Sequence, residues 1–159
     1  MNAFIIVGIA VFAAAFGSVL LLNSNALAQE REFIVFTPPY AYNAENPDAL
    51  SFINAFLFVV IVSAALFGFG VPIALGVEGL KYASLFSTYK MPAFDLLFAI
   101  PQILAAYSIS LIGKGALEDY KGKGSVFAYW RGALRWFVAS IAVLGILILS
   151  RKYLINMIQ

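Results

Sequence analysis

The stretch FINAFLFVVIVSAALFGFGVPIALGVEGLKYASLFST, residues 52–88, decides the fold class. Its first 26 residues, Phe52 to Val77, carry no charge. A helix of about 20 apolar residues crosses the roughly 30 Å hydrocarbon core of a bilayer. Inside this run lies Gly68-Phe69-Gly70-Val71-Pro72. Glycine and proline are tolerated in membrane helices, but they mark kinks or breaks where neighbours must satisfy the freed backbone groups. Two readings follow. One is a single kinked helix over 52–77 followed by a loop. The other is a span over 52–70, a tight turn and a second apolar helix over 72–89. That second helix carries Ile73, Leu75, Val77, Leu80, Tyr82, Leu85 and Phe86. It also places Glu78 and Lys81, three residues apart, on one face.

The whole chain has the same character. Of its 159 residues 63% are hydrophobic and 11% charged, with mean hydropathy +0.93. Soluble domains average about 45–50% apolar and about 25% charged residues. A soluble globule of this size lacks the polar cover that such a composition needs. An ordinary soluble enzyme, a disordered tail and a nucleic-acid-binding domain are thereby excluded. Ten basic against eight acidic residues give a net charge of +2, too balanced for a polyanion-binding surface. With no Cys, the chain forms no disulfide and performs no thiol chemistry. With no His, it offers no imidazole to haem, copper, zinc or a Ser-His-Asp triad. No cofactor is expected.

Before the deciding stretch, Ala3 to Leu22 is uncharged and long enough to span. The Ala26-Leu27-Ala28 triplet after it has the form of a signal-peptidase site. Against cleavage stand the missing basic n-region and an apolar run longer than an h-region. Residues 1–22 are therefore expected to be a retained first span or uncleaved signal anchor, and residues 23–51 an exported loop. That loop holds Glu30, Glu32, Glu45 and Asp48 against Arg31, and Phe33 to Phe36 is too short to span. Phe36, Pro38, Pro39, Tyr40 and Tyr42 form a partner-docking candidate. The alternative is an aromatic cap anchored at the membrane-water boundary.

After the deciding stretch, Lys90-Met91-Pro92 makes a break and Ala93 to Gly113 a further span, with Asp95 near its start and Pro101 inside. Residues 114–125 read as a Lys- and Gly-rich linker. Residues 126–136 carry Trp130, Arg131, Arg135 and Trp136, which suit an interfacial helix or the wet end of a span. Arg131 and Arg135, four apart, are candidates for lipid headgroup contact; the alternative is a positive-inside anchor. The last apolar run is read as Phe137 to Leu149, or, continuing past Arg151 and Lys152, to Ile158.

Charge counting limits the topology. Five spans with the N-terminus inside put five basic side chains inside against four outside. Four spans with the N-terminus outside give six against four, but leave the signal-like first loop inside. The expectation is an all-α, polytopic transmembrane bundle of four to five spans, one membrane domain over 1–159 with its helical bundle at 52–159, in the cell membrane.

Glu78 and Lys81 are the most informative pair, because an ionisable group at membrane depth is costly and marks a site by default. They are read as an intramembrane ion pair, serving a proton or cation relay or gripping a neighbouring subunit. The alternative is a boundary pair with Lys81 snorkelling. Asp95 is read as neutralising Lys90 or Lys81, or as an acid favoured at a helix N-terminus. Gln102, Ser108 and Ser110 read as hydrogen-bonding packing contacts between helices.

The arrangement over about 52–150 resembles the stage II sporulation protein M family of integral membrane proteins. Carrying the resemblance are Asn54 opening an apolar span, the Gly68/Gly70/Pro72 break, and Glu78-Gly79-Leu80 in the next helix. A Pro101-containing helix closing at Gly113 follows, then a basic linker with Arg131 and Arg135 before the final span. Where that family has a His-Gly element and a following Glu, this chain has Ala99-Ile100-Pro101-Gln102. The resemblance implies a non-enzymatic membrane component that positions partners.

The expected function is a non-catalytic structural or assembly subunit of a larger membrane complex, with the lipid bilayer and other membrane subunits as partners and no nucleic acid. Two alternatives stand: an accessory subunit of a membrane redox or oxygenase complex whose metals sit in other chains, and a small transporter or channel subunit using Glu78 and Lys81 near a broken helix.

Overall fold

The computed structural model describes residues 3–25, 49–88 and 93–158. Within them the chain is all-helical, with no strand. The elements are α1 (Ala3–Asn25), α2 (Ala49–Ala65), α3 (Val71–Thr88), a 3-10 helix (Ala93–Phe98), α4 (Ala99–Tyr120) and α5 (Val126–Ile158). Three stretches are long and apolar enough to cross a membrane: Ala3–Leu21, Ala93–Tyr120 and Val126–Tyr153. Helix α2 is apolar but has only 17 residues, and the 18 residues of α3 include the Glu78 and Lys81 charges.

The deciding stretch breaks in two, as the second reading expects. Helix α2 ends at Ala65 and residues 66–70 form a turn. There the Gly68 N–H donates to the Ser63 carbonyl at 2.8 Å and the Phe67 N–H to the Ala64 carbonyl at 3.0 Å. Gly68 sits at φ +89°, a conformation open to glycine because it has no Cβ. Phe67 also has positive φ, at 49°. Pro72 falls in the first turn of α3, where a missing N–H breaks no intrahelical bond.

Contacts fix the helix directions. Phe52 at the start of α2 stacks on Phe98, ring centres 3.7 Å apart, just before α4 begins. At the far end the 66–70 turn lies against α4, and a Cβ on Gly68 would meet Ser110 Cα at 3.3 Å. Helices α2 and α4 therefore run parallel, with α3 returning between these two levels. Helix α1 runs with α3: Phe4 packs edge-on to Phe69 at 4.7 Å, and the Phe12 backbone meets Gly79 further along. Helix α5 runs against α4, from Tyr129 beside Gly115 to Arg151 beside Asp95. One end of the bundle thus collects Phe4 and the turns at 66–70 and 121–125. The other collects the start of α2, the 3-10 helix and Arg151.

Close backbone approach holds α1 on α3. A Cβ on Gly79 would stand 2.6 Å from the Phe12 carbonyl oxygen, and one on Gly76 would meet Val11 Cγ1 at 2.8 Å. The buried core is aromatic and aliphatic: Phe52, Phe56, Tyr82, Leu85 and Phe98 toward one end, with Ile5, Val59, Val71 and Leu75 toward the other.

One sequence expectation is corrected. Residues 114–120 are not linker: α4 runs through them to Tyr120 and only Lys121 to Ser125 connects to α5. Apolar Ala116 and Leu117 and the Lys114–Glu118 pair, four apart, sustain the helix there. Residues 126–136 follow the second of their two readings, the end of a span, and are continuous with the run 137–149. They are one 33-residue helix, because neither glycine nor proline chemistry stops it.

A buried polar cluster and a basic, aromatic face

Helical spacing puts Glu78, Lys81 and Tyr82 on the side of α3 that meets α4. The Lys81 Nζ donates to Glu78 Oε1 at 3.0 Å. From α4, the Gln102 Nε2 lies 3.4 Å from Glu78 Oε2 and 3.2 Å from the Tyr82 hydroxyl. Glu78 is fully buried, and Gln102 and Tyr82 nearly so. Lys81 Nζ also lies 5.9 Å from the Phe58 ring centre on α2, within cation–π range. Gln102 Oε1 is buried without a hydrogen-bond partner among the described residues.

A carboxylate in an apolar interior persists only when paired and hydrogen-bonded. Here one oxygen takes the ammonium and the other the amide.

A second ion pair closes one end of the bundle. Arg151 grips Asp95 with Nε to Oδ1 at 2.9 Å and Nη2 to Oδ2 at 3.3 Å. Asp95 is 1% exposed, and the guanidinium lies 5.4 Å from the Phe52 ring centre. Asp95 does lie in the first turn of the 3-10 helix, as one reading had it. Its ion-pair partner, however, is Arg151, 56 residues away, in place of Lys90 or Lys81. Helix α5 had to be continuous for Arg151 to come into reach, and no local pattern signals that.

The basic, aromatic stretch lies at the opposite end. Arg131 and Arg135 are exposed. Trp136 meets the Tyr107 ring edge-on at 5.5 Å. Nearby, Tyr129 donates its hydroxyl to Glu118, which Lys114 also faces at 3.6 Å. Trp130 lines an apolar groove of about 210 Å³ between α2, α4 and α5, together with Val60, Ala64, Ile112, Leu134 and Phe137. Its floor is made of small residues, where the Ser108 hydroxyl donates to the Ala133 carbonyl at 2.6 Å.

Ser108 and Gln102 thus bond between helices, as expected. Ser110 bonds back to Tyr107 of its own helix. Gln102 was not singled out as part of the Glu78 site; a lone amide inside an apolar helix was the available signal. Phe36, Pro38, Pro39, Tyr40 and Tyr42 lie outside the described residues. Among the described residues, no three His, Cys, Asp or Glu side chains gather where they can hold a metal ion.

Among the described residues, fold and site define an all-helical protein with three helices long and apolar enough to cross a membrane and three ion pairs within or between its elements. Comparison with protein-family models, characterised proteins and solved structures finds no match to this chain.

Proposed function

We propose that this chain is a non-catalytic integral membrane subunit, with five spans, that gives structural or assembly support to a larger membrane complex. The observation that carries this reading is where its buried charges go. Glu78 is taken up by Lys81 and Gln102, and Asp95 by Arg151. Both clusters tie elements of the same chain together and so favour a scaffold over a reaction centre. Outside, large apolar side chains stay exposed along α1, α2 and α5, among them Leu21, Leu57, Ile61, Val138, Ile146 and Leu149. Exposed apolar surface on this scale suits lipid and neighbouring membrane helices.

Depth supports five spans. Arg131 and Arg151 stand twenty residues apart on α5, about 30 Å of helix and so about one hydrocarbon thickness. Helices α2 and α3 run between the same two levels as α4. Mild-detergent purification and native mass spectrometry test the subunit role. Co-purification with defined membrane proteins is expected; a clean monomer counts heavily against it.

One observation favours a second reading, a small transporter or channel subunit: Gln102 Oε1, beside Glu78, is left without a hydrogen-bond partner among the described residues. A Glu78→Gln variant in a reconstituted flux assay decides it. Unchanged flux removes Glu78 from any transport path.

A further inference from the structure

We propose that the groove between α2, α4 and α5 holds one acyl chain of an anionic membrane phospholipid, with its phosphate held by Arg131. The groove is apolar throughout, apart from a Ser108 hydroxyl already used on Ala133. It opens outward, since Trp130 and Leu134 are both about half exposed, at 53% and 52%. Its volume of about 210 Å³ suits an alkyl chain. An α-helix is about 10 Å across with its side chains, so one turn of a partner helix outsizes the space.

Charge selects the headgroup. Each arginine directly follows a groove-lining residue, Arg131 after Trp130 and Arg135 after Leu134. At about 100° per residue, Arg131 stands about 60° round α5 from Leu134, the outer edge of the groove, and Arg135 about 100° from it, so Arg131 is the nearer flank and Arg135 lies further round the helix. Residues 114–135 hold five basic side chains against two acidic ones, an excess that attracts anionic lipid. Trp130 supplies an amphipathic ring at headgroup level. The inference requires only that the chain lies in a bilayer and stands apart from its role as a subunit.

Trp130 reports occupancy directly. The chain has two tryptophans, so Trp136→Phe leaves Trp130 as the only one. This variant is placed in phosphatidylcholine vesicles containing rising fractions of chain-brominated phosphatidylglycerol, with chain-brominated phosphatidylcholine as control. Expected is Trp130 quenching that saturates at a several-fold lower fraction of the anionic lipid. Arg131→Gln should raise that fraction about five-fold, the worth of one basic group near an anionic surface, and Arg135→Gln should raise it by less. Ala64→Leu, filling the groove from an exposed position, should abolish the saturable phase. Equal quenching by the two lipids overturns the proposal, as does saturable quenching that survives Ala64→Leu. Absence of quenching by either lipid, which indicates a protein occupant, also overturns it.

Discussion

Asp95 and Arg151 are joined by two hydrogen bonds, at 2.9 and 3.3 Å, across 56 residues of sequence. The pair ties the 3-10 helix before α4 to the far end of α5. Its guanidinium covers the Phe52 ring, which itself stacks on Phe98. Three elements therefore meet on one salt bridge.

Removing one partner leaves the other charge buried, which costs more than the pair is worth. Arg151→Met should destabilise the protein by about 3 kcal/mol, read as a lowered thermal midpoint in detergent. Asp95→Asn with Arg151→Met together should cost clearly less than the sum of the single variants. Strict additivity in that double-mutant cycle would show that the two side chains are not coupled.

At the Glu78 cluster the two ends of the pair are not equivalent. Lys81→Met leaves a fully buried carboxylate with only the Gln102 amide, and a loss of about 3 kcal/mol is expected. Glu78→Gln keeps a neutral hydrogen-bonding group facing Gln102 and should cost less, about 1 kcal/mol. Thermal unfolding of both variants in one detergent checks the order. The reverse order would mean that the Lys81 ammonium, not the Glu78 carboxylate, is the charge that depends on the pair.

Close contact between α1 and α3 depends on Gly79, where a Cβ would stand 2.6 Å from the Phe12 carbonyl oxygen. The chain has no native Cys, so paired cysteines report only the positions chosen. Val11→Cys with Gly76→Cys should cross-link efficiently under mild oxidation. Adding Gly79→Val should suppress that cross-link several-fold by pushing the helices apart.

The two turns at one end of the bundle give a topology test. Single cysteines at Leu66 and Ser125 should react with a membrane-impermeant maleimide from the same side of sealed vesicles. A cysteine at Lys152 should react from the other side. Labelling of Leu66→Cys and Ser125→Cys from opposite sides would contradict the alternating five-span arrangement.

Composition and run length were sufficient for the membrane class, because the transfer of side chains and backbone into hydrocarbon depends on local sequence alone. The break at Gly68-Phe69-Gly70 was legible as one of two options, since only glycine tolerates φ +89° there. The Glu78–Lys81 pair was legible too, as a three-residue helical spacing. What the residues alone left undecided were the far ends of those contacts. Gln102 reaches Glu78 only because α3 and α4 cross at that level, and Asp95 finds Arg151 only because α5 runs unbroken back to it. The groove beneath Trp130 exists because small residues on α4 and α5 face the end of α2. Local sequence determined that this chain has helices apolar and long enough for a bilayer, and it narrowed the break before α3 to two options. Tertiary structure decided which charges neutralise one another, because pairing at a distance depends on helix direction and packing depth rather than on spacing along the chain.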